Sequence, residues 1–167
     1  MINQDDNSSS EIYKYSKHED YEYKVKRLFN YQLNHRYSEI ILEKIFKKYS
    51  VSRNIFKEIY LTENQLNEMR EDGQIIGSHT VNHKILSSLN PENQKLEISK
   101  SFQSLSKFYS PNFKAISYPY GYKFTYNKTT LSILENQKLN FGFIFDNNES
   151  LNFKKFEISR IDCNNFI

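Results

Sequence analysis

Residues 61–83 read LTENQLNEMREDGQIIGSHTVNH, in which a helix, a turn and a strand lead into two histidines. Thr62 is followed three positions later by Gln65, a capping box that marks the start of a helix. Gly73 stands where a left-handed helix C-cap belongs, because glycine adopts positive φ at little cost. The apolar residues that follow predict a short buried strand over 74–78.

The same alternation of helices and strands continues through the rest of the chain. Asn90, with Pro91 directly after it, predicts the start of a second helix, and a third is predicted over 125–137. The apolar residues expected to face inward from these two segments are Leu96, Phe102, Leu105, Phe108, Leu131 and Leu134. Further strands are predicted over 114–118, 141–145 and 156–161. This order predicts an α/β fold in which right-handed β/α units build a parallel sheet.

The N-terminal part of the chain carries no strand pattern. Residues 1–10, MINQDDNSSS, are small and polar and predict a mobile tail. Within 11–60, apolar residues such as Ile41 and Ile45 recur at helical spacing and predict short helices. We therefore expect three parts, namely the tail, a helical N-terminal segment over 11–60 and an α/β domain over 61–167.

Composition excludes several classes of protein. The 13 Tyr and 13 Phe are far more than a disordered chain carries. Cys163 is the single cysteine, so an internal disulfide scaffold is excluded, and a lone thiol fits the reducing cytoplasm. No apolar run approaches the ~20 residues of a membrane span, and no signal-peptide pattern opens the chain. We therefore expect a cytoplasmic protein that is not exported.

The charges give little support for a nucleic-acid partner. The chain has 23 basic and 20 acidic residues, a net charge of +3, and its lysines are spread along the sequence. A nucleic-acid interface needs a clustered basic face, so we expect no nucleic acid, and binding through the Lys-rich helices is the weaker hypothesis.

Two of the four histidines follow the first predicted strand. His79 and His83 lie four residues apart, and two neutral imidazoles at this spacing can face one metal ion. Two polar loop residues that only form hydrogen bonds are the alternative. A helical zinc protease is excluded, because Thr80 stands where that motif needs glutamate. His18 and His35 have no partner at ligand spacing.

A tight turn follows the second predicted strand. Residues 117–121 read SYPYG, in which Pro119 fixes one φ and Gly121 permits a sharp reversal. Backbone N–H groups in such a turn can hold a developing oxyanion, although many turns of this kind are only turns.

Two segments together resemble the polysaccharide deacetylases of the NodB-homology, or carbohydrate esterase 4, family. They are the run 73–83, followed by Leu86, and the later Ser117-Tyr118-Pro119-Tyr120-Gly121. The first run is similar to the family's His-(Ser/Thr)-x-x-His motif, and the second to its Pro-Tyr motif. The resemblance covers 61–145, and a weaker match extends to 158–162.

The resemblance implies a chemistry and a set of site residues. His79 and His83 would bind a divalent metal, commonly zinc. Tyr118, Pro119 and Tyr120 would border the substrate groove, with the backbone amide of Tyr120 in the oxyanion site. The reaction would be hydrolysis of an N-acetyl group on a glycan or amino sugar. The metal would polarise the carbonyl and acidify a water, and a carboxylate would take the proton.

The sequence departs from the family at its acidic residues. The Asp-Asp motif that supplies the general base and a third metal ligand has no match before the histidines. Asp5-Asp6 and Asp20 are poor substitutes, because no buried strand precedes them. Arg160 and Asp162 are candidates for a catalytic pair near the last strand. An exposed ion pair worth 0 to about 1 kcal/mol is the alternative for them.

The architecture implied is a partial NodB-like β/α barrel. A closed β/α barrel needs about 250 residues, so four predicted strands do not close one. The open edge is expected to be covered by the N-terminal helices or by a second copy of the chain in a homodimer. Three functional hypotheses remain: a truncated deacetylase, an enzyme that recruits its carboxylate from elsewhere, including a second subunit, and a non-catalytic carbohydrate-binding or scaffold protein.

Overall fold

The computed structural model of the chain describes residues 21–49, 54–109, 112–145 and 153–161. The expected tail over 1–10, both N-terminal aspartate candidates, His18, Asp162 and Cys163 lie outside these ranges. The chain forms two compact units, Met1–Tyr60 and Leu61–Ile167.

Helices make up the described part of the N-terminal unit. Helix α1 is Tyr21–Arg27 and continues as a π-helical turn over Leu28–Gln32. Helix α2 is His35–Lys48, and it begins where the side chain of Asn34 accepts a hydrogen bond from the backbone of Arg36. Helix α3 is Ile55–Ile59.

The C-terminal unit begins with helix α4, Glu63–Glu71, whose ends follow the sequence signals. Thr62 and Gln65 form the predicted capping box, and Gly73 adopts φ +81° after the helix. Helix α5 is Pro91–Ser104, capped by the side chain of Asn90. Helix α6 is Lys128–Asn136. Short 3-10 turns occur over Leu86–Ser88 and Lys123–Thr125.

Within the described residues, the sheet of this unit has four strands in the spatial order β1-β2-β4-β3. Strands β1, β2 and β4 are parallel, as the β/α pattern predicts, and β3 pairs with β4 antiparallel. The strands are β1 Ala115–Ser117, β2 Phe141–Phe145, β3 Phe153–Lys154 and β4 Glu157–Arg160. In this parallel arrangement the carboxyl ends of β1, β2 and β4 lie at one edge of the sheet.

The strand predicted over 74–78 is wrong except at its last residue. Only Ser78 pairs with the sheet, through a single parallel bridge to Ile116. The backbone of Gln74 instead donates to the carbonyl of Met69, because the first residues after α4 complete its C-terminal cap. Ile75, expected to be buried, is 61% exposed.

The predicted inward face of α5 is wrong at Leu96, which is exposed. The prediction is confirmed at Phe102, and the buried face of this helix carries Gln94, Glu97, Ile98, Ser101 and Phe102. An apolar pattern alone finds only part of this face because three of its members are polar. Gln94 is satisfied there, donating to the carbonyl of Leu89 and accepting from the hydroxyl of Thr130.

The core of the C-terminal unit lies between the sheet and the helices. Its fully buried apolar side chains come from α5, α6, β1, β2 and the loops between them, and they include Leu86, Ile98, Ile116, Tyr118, Leu134 and Ile144. Across the described ranges, no helix is long and apolar enough to cross a membrane.

Candidate metal and substrate site

The bridge between Ser78 and Ile116 brings the histidine motif to the end of β1. His79, the next residue, places its Nδ1 2.6 Å from the backbone carbonyl oxygen of Ser117. A carbonyl oxygen only accepts, so Nδ1 must carry the proton and donate. In the neutral ring Nε2 then keeps its lone pair, which is the form that binds a metal.

The second histidine and the tyrosine of the turn complete a short row of rings. The ring centroids of His79 and His83 are 4.7 Å apart, and those of His83 and Tyr120 are 4.8 Å apart, each pair meeting edge to face. The structure therefore brings together the two motifs that the sequence separates.

The backbone at these motifs is left-handed at several residues that are not glycine. Thr80, His83 and Tyr120 have φ of +65°, +53° and +63°. Each such conformation costs on the order of 1–3 kcal/mol and persists only where the surroundings enforce it. Strain of this kind collects at functional sites, and here it falls on both motifs.

Gly121 and Arg160 join the turn to the ends of β2 and β4. The carbonyl of Gly121 accepts from the backbone of Phe145, and a Cβ at Gly121 would lie 2.6 Å from that nitrogen. The same Cβ would lie 3.1 Å from Nη2 of Arg160, whose Nε donates to the carbonyl of Ile144 at 3.3 Å. Arg160 thus lies beside the turn, while its predicted partner Asp162 lies outside the described residues.

Comparison with known proteins identifies the family. Its sequence model, described as polysaccharide deacetylase, matches residues 31–142, more than half of the chain. The chain belongs to the polysaccharide deacetylase family. The match begins ahead of Leu61, where the motif resemblance started. The fold is accordingly a partial NodB-like β/α barrel with parallel strands, preceded by a helical segment.

Two relatives show how much of a deacetylase the chain spans. It is 36% identical over 98 residues to the "Putative polysaccharide deacetylase YxkH" of Bacillus subtilis (strain 168), covering 54% of this chain and 34% of that protein. It also matches the structure of Streptococcus pyogenes deacetylase PplD in complex with acetate, with a TM-score of 0.51 and 32% identity. That match covers 60% of this chain and 44% of PplD. The chain therefore spans less than half of either relative.

The resemblance places Tyr118 and Pro119 at the border of the substrate groove, and in the structure the side chains of both are buried, so their role there stays a prediction. The Tyr118 hydroxyl donates to the carbonyl of Phe156 at 2.8 Å, and its ring stacks on Tyr126. Burial, with added repulsion from Tyr126 and Glu157, raises the pKa of Tyr118 far above its ordinary value. Tyr118 is thus part of the hydrophobic core, whereas the ring of Tyr120 contacts His83.

The surroundings of His83 favour the neutral form of its ring. Partial burial lowers the pKa of His83 below its ordinary value, and the nearby His79 lowers it further, against a smaller opposing effect of its own backbone hydrogen bond. A histidine must be neutral to ligate a metal, so both causes favour the ligand form. Burial also lowers the pKa of Arg160, which stays charged because guanidinium titrates far above neutrality.

The residues present fit part of a metal site. The fixed tautomer of His79 and the adjacent ring of His83 suit a divalent ion such as zinc. Two hydroxyls beside this pair, on Thr80 and Ser117, are buried and have no hydrogen-bond partner within the described ranges. In the same ranges, no group of three or more His, Cys, Asp or Glu side chains is placed to hold an ion. In a metal site the pair would supply two ligands and leave the remaining positions to other groups.

Sequence reasoning missed Glu97, which contacts the backbone between the two histidines. Its carboxylate accepts from the backbone nitrogens of Val81 and Asn82 at 3.0 and 2.8 Å. The available signal was an acidic residue at an inward position of a predicted amphipathic helix, where a buried charge requires partners.

Proposed function

We propose that this chain carries the metal and oxyanion elements of a carbohydrate N-deacetylase, which hydrolyses an N-acetyl group on a glycan or amino sugar. The hydrogen bond from Nδ1 of His79 to Ser117 carries the proposal, because it joins the two motifs and orients Nε2 for a metal. The acetate in the PplD structure, which is the product expected of such a hydrolysis, supports the same reaction class.

Each residue of the site would have a separate role in the proposed hydrolysis. His79 and His83 would hold a divalent ion, most simply zinc, which when bound polarises the acetyl carbonyl and acidifies a water. The backbone amide of Tyr120 would donate to the oxyanion of the tetrahedral intermediate. Arg160, beside Gly121, would orient a carboxylate or the substrate from the end of β4.

In the described residues no acidic side chain joins the two histidines in a group that could hold a metal ion, and a general base remains to be assigned. We propose that a carboxylate outside these ranges, Asp162 or one on a second copy of the chain, takes the proton. The assignment of 61–167 as the deacetylase domain, the homodimer and the cytoplasmic location stay predictions.

A second candidate function is carbohydrate binding without catalysis on the same fold. It is favoured by one observation, namely that the histidine pair has no third acidic or imidazole ligand in the described part of the chain. Two imidazoles alone make a weak metal site, and water bound there would lack a proton acceptor.

Acetate release separates these functions. The purified chain is incubated with zinc and a chitin-type oligosaccharide, and free acetate and bound sugar are measured for the wild type and His83→Ala. Acetate release that is lost in His83→Ala supports the deacetylase. Sugar binding without acetate release supports the binding protein, and absence of both contradicts both functions.

A further inference from the structure

The loop between the two histidines is held by one buried acidic side chain. Glu97 lies in the middle of α5 and is 8% exposed. Its Oε2 accepts from the backbone nitrogens of Val81 and Asn82, and its Oε1 accepts from the side-chain amide of Asn82 at 2.6 Å. A single carboxylate thus receives three hydrogen bonds from two consecutive residues.

These bonds fall on the residues that separate His79 from His83. Thr80 and His83, on either side of the clamped pair, are both left-handed, a conformation that residues with a Cβ rarely adopt without support. A carboxylate that accepts two successive backbone N–H groups fixes the orientation of both peptides. The hydrogen bonds therefore hold Val81 and Asn82 at the centre of the loop, between the strained residues Thr80 and His83.

A second contact from the same helix face anchors the start of the loop. The hydroxyls of Ser78 and Ser101 are 2.8 Å apart, and Ser101 lies one helical turn beyond Glu97. The backbone of Thr80 also lies 3.3 Å from the hydroxyl of Ser78, as a donor to it. Helix α5 thus holds the loop at two points, and only the Glu97 contact reaches the residues between the histidines.

We propose that Glu97 is a positioning residue for the histidine pair: its carboxylate holds the backbone of Val81 and Asn82 so that the rings of His79 and His83 face one ion. The part of this inference that concerns the ion rests on the proposed function. The part that concerns the loop stands on the three hydrogen bonds alone.

Three substitutions test the inference. Glu97→Ala removes all three acceptors. Glu97→Gln keeps one oxygen for the two backbone donors, and its amide can donate to the side-chain oxygen of Asn82 once that amide rotates. Glu92→Ala, at an exposed position on the same helix, is the matched control.

The first readout is amide hydrogen exchange in metal-free protein. In Glu97→Ala the amides of Val81 and Asn82 should exchange about 2- to 10-fold faster for each hydrogen bond lost. The amides of Ser78 and Ser117, which bond across the bridge, should keep their rates. Unchanged exchange at Val81 and Asn82 would overturn the inference whether or not the protein binds a metal.

The second readout is zinc affinity by titration calorimetry. Loss of a group that orients the ligands should weaken zinc binding about 10- to 100-fold in Glu97→Ala, whereas Glu97→Gln and Glu92→Ala stay near wild type. Equal affinity in Glu97→Ala and wild type, or equal loss in Glu97→Gln and Glu97→Ala, would overturn it. If Glu97→Ala fails to fold, Asn82→Ala removes the side-chain bond alone and should weaken zinc binding by a smaller factor. Absence of zinc binding in the wild type would instead contradict the proposed function.

Discussion

The carbonyl oxygen of Ser117 accepts a hydrogen bond from Nδ1 of His79 at 2.6 Å, so the last residue of β1 sets the tautomer of the first motif histidine. The partner is a backbone atom whose position follows from strand pairing, so the acceptor does not depend on a second side-chain rotamer. The ring is therefore oriented without a metal, and less ordering would accompany binding of the proposed ion.

The ring of His83 should titrate below the ordinary histidine pKa of 6.5. Partial burial is the larger cause and repulsion by His79 the smaller, so His79→Ala should raise the pKa of His83 but leave it below the ordinary value. Ring resonances followed by NMR across pH measure both values. A pKa of His83 above the ordinary value would contradict the described environment.

The lowered pKa of His83 also determines how the free energy of unfolding changes with pH. Because His83 binds its proton less readily in the folded chain than in the unfolded one, the unfolded chain holds more protons as the pH falls through the ordinary pKa. The contribution of His83 to the free energy of unfolding should then be present above that pH and be lost below it. The difference in denaturation midpoint between wild type and His83→Ala should therefore shrink or change sign when the pH is lowered from neutral to mildly acidic. An unchanged difference would contradict the shift.

Gly121→Ala should destabilise the chain more than Gly73→Ala. Both glycines are left-handed, which costs a residue with a Cβ about 1–2 kcal/mol. A Cβ at Gly73 meets nothing within 4 Å, whereas one at Gly121 would lie 2.6 Å from the backbone nitrogen of Phe145. Overpacking at Gly121 adds about 1–3 kcal/mol to the destabilisation. Chemical denaturation of the two variants measures this difference in the free energy of unfolding. Equal destabilisation would show that the turn is looser than described.

Tyr118→Phe should lower the free energy of unfolding by about 1–2 kcal/mol without a selective effect on sugar binding. The change removes the hydrogen bond to Phe156 and keeps the stacking on Tyr126. Tyr109→Phe is the matched control, since the Tyr109 hydroxyl forms no hydrogen bond with the residues that the structure describes. Weaker oligosaccharide binding by folded Tyr118→Phe would instead support a direct role of its hydroxyl in substrate binding.

Sequence patterns located the site better than they described its surroundings. The juxtaposition of His79, His83 and Tyr120 was predictable because parallel strands bring their carboxyl ends together. The burial of Tyr118 was not, because it depends on Gly142, where a Cβ would lie 2.7 Å from the tyrosine hydroxyl. Such contacts join residues that lie far apart in the chain, and they produce no periodic pattern in the sequence.

The errors on local structure have equally specific causes. The strand over 74–78 failed because the cap of α4 uses the backbone of Gln74. The inward face of α5 was misassigned at Leu96 because hydrophobic periodicity assumes an apolar interior. Here the interior position belongs to Glu97, which is buried because it bonds to the histidine loop.

Zinc affinity of the purified chain tests the central claim most directly. Titration of wild type, His79→Ala and His83→Ala should show one zinc site in the wild type and its loss in each variant. His18→Ala, a change outside the motif, should bind like the wild type. A wild type without zinc affinity, or variants that bind zinc as tightly as the wild type, would contradict the assignment of His79 and His83 as the metal ligands.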